Sequence, residues 1–173
     1  MKMETDRLIL RELTAVDLDG LHTILSDPES MQHYPNPFDL DKVKSWIAWN
    51  IKIYATYGFG LWAVILKENN QFIGDCGITM QNINGNREPE IGYHINKEYV
   101  NKGYATEAAQ ACMKYAFEVL GLDKLFSYMK YTNTPSQRVA IKNGMKLVME
   151  YEDKVNVITK VYAITKDEYK TGK

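Results

Sequence analysis

The apolar positions of this chain change period several times, and each change marks an element. Leu8 to Arg11 reads as a strand. Thr14-Ala15-Val16-Asp17 then supplies residues that cap a helix, with Leu18, Leu21 and Leu25 on one helical face beyond it. A second helical stretch, Asp39 to Tyr54, sets Leu40, Val43, Ile47, Ile51 and Tyr54 on a common face. Trp62 to Leu66 and Gln71 to Met80 read as a strand pair around the polar turn Glu68-Asn69-Asn70, and Glu90 to Ile95 as another strand. Ala105, Ala108, Ala109, Cys112, Ala116, Phe117 and Leu120 recur at helical spacing, with Gly121 as the stop. Further strands are expected at Lys124 to Tyr131 and near Val155 to Ile164. Between them Pro135 suits the first turn of a short helix ending at Gly144. The pattern is that of an α/β chain with a mixed, strongly twisted sheet flanked by helices.

The joint between the Glu90 to Ile95 strand and the helix after it carries the chemistry. Asn101-Lys102-Gly103-Tyr104-Ala105-Thr106-Glu107-Ala108 is a small, glycine-containing turn that opens straight into a helix. Such a turn presents unpaired backbone N–H groups at the positive end of the helix dipole, which suits a phosphate or pyrophosphate. Strand–glycine–helix joints also arise for structural reasons alone. The segment is neither a G-x-x-x-x-G-K-[ST] phosphate loop nor a G-x-G-x-x-G dinucleotide fingerprint.

The same stretch resembles the coenzyme A pyrophosphate loop of the GCN5-related N-acetyltransferase (GNAT) superfamily, whose pattern is roughly Gln/Arg-x-x-Gly-x-Gly/Ala. Gly103 and Ala105 take the two small positions. Val100 stands where the family often has Gln, Arg or Trp, and Asn101 where Gly is usual. Asn tolerates the left-handed backbone better than other non-glycine residues, so the second departure is compatible with the loop. Other fragments follow in the family's order: Glu4-Thr5-Asp6-Arg7-Leu8-Ile9-Leu10-Arg11, Asp27-Pro28-Glu29, Phe72-Ile73-Gly74-Asp75-Cys76-Gly77-Ile78, and Asn133-Thr134-Pro135-Ser136-Gln137-Arg138-Val139-Ala140 with Lys142-Asn143-Gly144-Met145. Together they resemble the RimJ/RimL-like subgroup, which acetylates ribosomal-protein N-termini.

The resemblance implies a GNAT fold of about six to seven strands with a splayed central cofactor strand, spanning residues 1–173 as one domain. It also implies transfer of an acetyl group from acetyl-CoA, as co-substrate, to a primary amine within a ternary complex. The acceptor is a peptide N-terminus or a small-molecule amine. Tyr93, His94 and Ile95 would line the pantetheine, while Asn101, Lys102, Gly103, Tyr104, Ala105 and Thr106 would hold the pyrophosphate. Asn133 and Ser136 would sit beside the pantetheine and the thiol. Glu90 is the candidate general base, directly or through a water, with Glu88 as competitor and a solvated strand-end carboxylate as the bland alternative. Many relatives carry a Tyr to protonate the leaving thiolate; Ala140 occupies that position here, leaving Ser136 or a water for the task. Asn133 or Thr134 before Pro135 is equally a helix cap.

Composition narrows the partners without choosing among them. At 173 residues with net charge −1, the chain has no basic field for nucleic acid. No apolar run approaches a membrane span, and the start lacks the apolar core of a secretory signal. Cys76 and Cys112 stand alone, as in a reducing cytosol, so a cytoplasmic location is expected. The three His residues lack metal-ligand spacing, and no metal is expected. The aromatic run Trp46, Trp49, Tyr54, Tyr57, Phe59 and Trp62 reads as core, though some of it, with His33, Tyr34 and Phe38, is placed to wall an acceptor pocket. Cys112 is expected to be core, and Cys76 has no nearby His to make it a nucleophile. A monomer or a homodimer fits equally. The alternatives are a non-catalytic acyl-CoA-binding module and a cofactor-free interaction domain.

Overall fold

The computed structural model describes residues 2–172. Its strands are β1 (Lys2–Glu4), β2 (Leu8–Glu12), β3 (Leu61–Leu66), β4 (Phe72–Ile83), β5 (Asn86–Ile95), β6 (Lys124–Lys130), β7 (Lys146–Asp153) and β8 (Val157–Thr165). They form one eight-stranded sheet in the order β1-β2-β3-β4-β5-β6-β8-β7. Every pairing is antiparallel except that of β5 with β6. The helices are α1 (Leu18–Leu25), α2 (Leu40–Tyr57), α3 (Tyr104–Lys114), α4 (Thr134–Lys142) and α5 (Lys166–Thr171). No helix among the described residues is long and apolar enough to cross a membrane.

Strand alternation decides what each face carries. On β3, Trp62, Val64 and Leu66 join Cys76, Ile78 and Ile91 in a core with Ala108, Ala109, Cys112 and Met113 of α3. The intervening residues Leu61, Ala63 and Ile65 pack against Leu21, Ile24 and Leu25 of α1 and Val43 and Ile47 of α2. The sheet therefore lies between α1 and α2 on one side and α3 and α4 on the other. Register then fixes a second consequence. Ala63 lies opposite Asp75, and Asp75 opposite His94, so Asp75 and His94 share the α1/α2 side. Gly92 and Glu90, two and four residues back along β5 from His94, point the same way.

Local chemistry explains most element ends. Asp39 accepts a hydrogen bond from the Lys42 N–H at 2.8 Å and caps α2, and Gly58 ends it in a left-handed conformation. Thr14 and Asp17 form a reciprocal capping box ahead of α1. Asn84-Gly85, both at positive φ, close the β4–β5 hairpin in the manner of a two-residue turn.

The α2 face differs from the expected one. Val43, Ile47, Asn50 and Ile53 are buried, whereas Leu40 and Ile51 are 40% and 49% exposed. Steps of four residues drift around a 3.6-residue helix, so the line from Val43 through Ile47 returns to Asn50, not Ile51. Asn50 is fully buried because its amide donates to the Trp46 carbonyl and its Oδ1 accepts the Leu61 N–H at 2.9 Å. The run near Val155 to Ile164 is β8; β7, Lys146–Asp153, lies before it at a position where no strand was expected, and α5 follows β8.

Candidate active site

The sheet opens at its parallel pair. β5 and β6 share one register position, Glu90 opposite Phe126, whereas β5 stays paired with β4 along its whole length to Ile95. Beyond Glu90 the free side of β5 borders a cleft of about 400 Å³. Tyr93, His94 and Ile95 line it from the strand, Asn101, Gly103, Tyr104, Ala105 and Thr106 from the turn, and Asn133 and Ser136 from the start of α4. Of the expected cofactor residues only Lys102 lies outside that lining; its carbonyl accepts from Arg7 and its Nζ sits 5.0 Å from the Tyr99 ring centroid.

The turn has the backbone an anion site requires. Asn101 at φ +61 and Gly103 at φ +84 are both left-handed. The first intrahelical bond of α3 is donated by the Glu107 N–H to the Gly103 carbonyl, at 3.0 Å. The N–H groups of Tyr104, Ala105 and Thr106 therefore precede the helical ladder at its positive end. A brace from the other end of the chain fixes this geometry. Glu107 accepts from Thr5 Oγ1 at 2.6 Å, from the Arg7 N–H at 2.9 Å and from Arg7 Nε at 2.7 Å. The Arg7 guanidinium also donates to the Lys102 carbonyl at 3.0 Å and lies over the Tyr104 ring, 4.4 Å from its centroid. Burial alone would raise the Glu107 carboxyl, but the hydrogen bonds from Thr5 and Arg7 outweigh it and hold the pKa below the ordinary value.

Asn133 is the cap of α4: its side chain accepts from the Ser136 N–H at 3.2 Å. The Tyr93 hydroxyl donates to the Ser136 carbonyl at 2.8 Å, which ties β5 to α4 across the cleft. Desolvation pushes the Tyr93 phenol well above its usual range.

Glu90 is not a solvated strand end. It is 7% exposed, and burial raises its pKa from the ordinary 4.5 to about 8, against an opposing pull from the Tyr128 backbone. Its carboxylate folds back over Gly92; a Cβ there would stand 3.3 Å from Glu90 Oε2. Tyr128, itself raised to about 12 by desolvation and then by the Glu90 charge, faces it from β6. Tyr34, which follows α1, is raised by desolvation and then by the charges of Glu90 and Asp75.

His94 and Asp75 form a pair that sequence spacing does not reveal. His94 Nδ1 lies 2.7 Å from Asp75 Oδ1, and Asp75 is fully buried. Trp46 Nε1 donates to the other oxygen of Asp75 at 3.4 Å. The rings of Tyr34 and Trp46 flank the imidazole with centroids 5.4 and 6.4 Å away. His33 and Tyr34 also line the cleft, and Phe38 packs edge-on against Trp46. By contrast Trp62 is fully buried and Phe59 nearly so. Cys76 and Cys112 are both buried, 3.7 Å apart, and burial raises the Cys76 thiol. No group of three or more His, Cys, Asp or Glu among the described residues is placed to hold a metal.

Residues 7–146 match the family model described as an acetyltransferase (GNAT) domain. The chain is 36% identical over 145 residues to the uncharacterized protein YkkB of Bacillus subtilis, covering 83% of this chain and 84% of that one. Among solved structures it is similar to an acetyltransferase (GNAT family) from Bacillus anthracis, with TM-score 0.82, 29% identity, and coverage of 96% and 99% of the two chains. It also shares its fold with RimL, a ribosomal alpha-N-protein acetyltransferase in complex with coenzyme A (TM-score 0.78, 18% identity, 95% and 98% covered).

Proposed function

Because the chain belongs to the GNAT family and is an acetyltransferase, we propose that it moves an acetyl group from acetyl-CoA to a primary amine by direct attack in a ternary complex. We assign the activity to residues 1–173 as one domain. The observation that carries the reading is the parting of β5 from β6 after Glu90, in line with the left-handed turn at the start of α3. An extended pantetheine needs backbone partners along one strand edge, and a pyrophosphate needs clustered N–H donors; the cleft offers both in that order.

In this reading the first-turn N–H groups of Tyr104, Ala105 and Thr106 bind pyrophosphate oxygens. The free edge of β5 at Tyr93 to Ile95 binds pantetheine, and one of its N–H groups stabilises the developing oxyanion. Acetyl-CoA, as donor substrate, supplies an activated thioester whose thiolate is a good leaving group. Glu90 acts as base on the α1/α2 side, with the acceptor amine entering the cleft past Tyr34 and His94. A carboxylate with a pKa of about 8 is a stronger base once ionised than a solvated one, so activity should rise as pH climbs through that value. Ser136, which lines the cleft, is assigned to the departing sulfur in this reading. The acceptor is a peptide N-terminal amine or a small-molecule amine.

Thiol release from acetyl-CoA, followed with a panel of N-terminal peptides, polyamines and aromatic amines, tests the proposal. Amine-dependent release with an acetylated product in the mass spectrum supports it. Release at the same rate with no amine present would reduce the chain to a thioester hydrolase and overturn it.

A further inference from the structure

We propose that His94, oriented by the buried Asp75, is the group that takes the first proton from the incoming ammonium, leaving Glu90 to handle the second. The inference rests on the transferase reading above and divides its chemistry between two residues.

The reaction itself calls for two proton acceptors. An aliphatic amine arrives as R–NH3+, and its nitrogen must lose one proton before its lone pair can attack. The C–N bond then forms, the C–S bond breaks, and the nitrogen sheds a second proton to become the amide. One of the two ends on the sulfur as CoA thiol, and the other leaves to solvent. A single buried carboxylate serves the second event well, because it can pass its proton on to the thiolate. It serves the first poorly, because the proton must return to water.

His94 has the placement Glu90 lacks. It lies on the same face of β5, two positions nearer the cleft mouth than Gly92, and it lines the cleft, whereas Glu90 does not. Its side chain keeps 13% exposure, while Asp75 has none. The 2.7 Å contact between Nδ1 and a carboxylate oxygen places the ring proton on Nδ1, so Nε2 carries the lone pair and is the nitrogen left for the cleft. Trp46 Nε1 occupies the second Asp75 oxygen, and the ring sits between Tyr34 and Trp46, which fixes its rotation. The order of groups, indole N–H to carboxylate to imidazole, is the logic by which an acid orients a histidine base and steadies the imidazolium that forms. The charged or titratable groups facing His94 are Asp75 from β4, Tyr34 from the segment after α1, and Glu90 from its own strand. Lys97, on the same rim, is already engaged by Asp27 and Glu29 at 3.0 and 3.2 Å. The returning proton thus leaves from the more open of the two bases.

The test compares two acceptors of similar shape, benzylamine, an ammonium at neutral pH, and benzhydrazide, already neutral there. His94→Asn keeps an N–H toward Asp75 and removes Nε2. It should lower kcat/KM for benzylamine by about 10²-fold or more at pH 6.5, leave benzhydrazide nearly untouched, and recover on benzylamine as pH rises. Glu90→Gln should slow both acceptors. Equal losses on both acceptors for His94→Asn would overturn the assignment of His94 alone. Failure of the wild type to acetylate any amine would overturn the transferase reading and this inference with it. Nitrogen NMR of the imidazoles gives an independent readout. A proton on Nδ1 of His94, held toward Asp75, is expected, and an Nε2–H tautomer would overturn the proposal.

Discussion

Replacing Glu90 with Gln should stabilise the protein, and increasingly so as pH rises. In the unfolded chain the carboxyl ionises near 4.5, whereas in the fold burial holds it protonated up to about 8. Between those values the native state binds one more proton than the unfolded state, so stability falls as pH rises and the penalty is complete only above the folded pKa. Each pKa unit is worth about 1.4 kcal/mol, so the interval corresponds to at most about 5 kcal/mol. Gln has nearly the same shape and no charge to bury. The difference in melting temperature between Glu90→Gln and wild type should therefore be small at pH 4.5 and widen to pH 8. For a chain of this size the slope is about 3–5 °C per pH unit. Differential scanning calorimetry of both proteins from pH 4.5 to 8.5 measures it, and other titrations cancel in the difference. Parallel curves would mean that Glu90 ionises normally, and the raised pKa and its basic role would both fall.

Gly92→Ala should crowd the Glu90 carboxyl group and shift it by a few tenths of an ångström, since the new methyl would stand 3.3 Å from Oε2. A fall in kcat with little change in acetyl-CoA binding checks this. Removing the brace with Glu107→Ala breaks the bonds to Thr5 and Arg7. Stability should drop by about 2–3 kcal/mol in a denaturant melt, and the KM for acetyl-CoA should rise. The kcat/KM of the wild type should increase with pH through about 8, and Glu90→Gln should remove that limb from the pH–rate profile.

What was legible in the sequence was mostly what is local. The Asn101 to Ala108 turn announces itself because glycine, small residues and the following helix are contiguous, and Asn101 does take the left-handed backbone its residue type allows. Asn133 reads as a cap for the same reason. The pairings that complete the site are remote. Arg7 meets Glu107 one hundred residues away, and Asp75 meets His94 only because a β4–β5 register sets them side by side. That register depends on the Asn84-Gly85 turn, a hairpin signal present in the sequence whose consequence is visible only once both strands are extended around it. β7 shows no alternation because Leu147, Val148 and Met149 are all exposed at the sheet edge, so no buried face imposes a period of two. On α2, Asn50 sits at a buried position that a hydrophobic pattern cannot mark.

The central claim is that the β5–β6 opening and the Gly103 turn form one acetyl-CoA site, and titration calorimetry tests it most directly. The wild type should bind acetyl-CoA and desulfo-CoA with micromolar affinity and ATP far more weakly. Gly103→Val, which forces a branched side chain into a left-handed backbone and against Arg7, should lose that binding while remaining folded by circular dichroism. Unchanged affinity in the variant, or no binding of either CoA ligand by the wild type, would contradict the account.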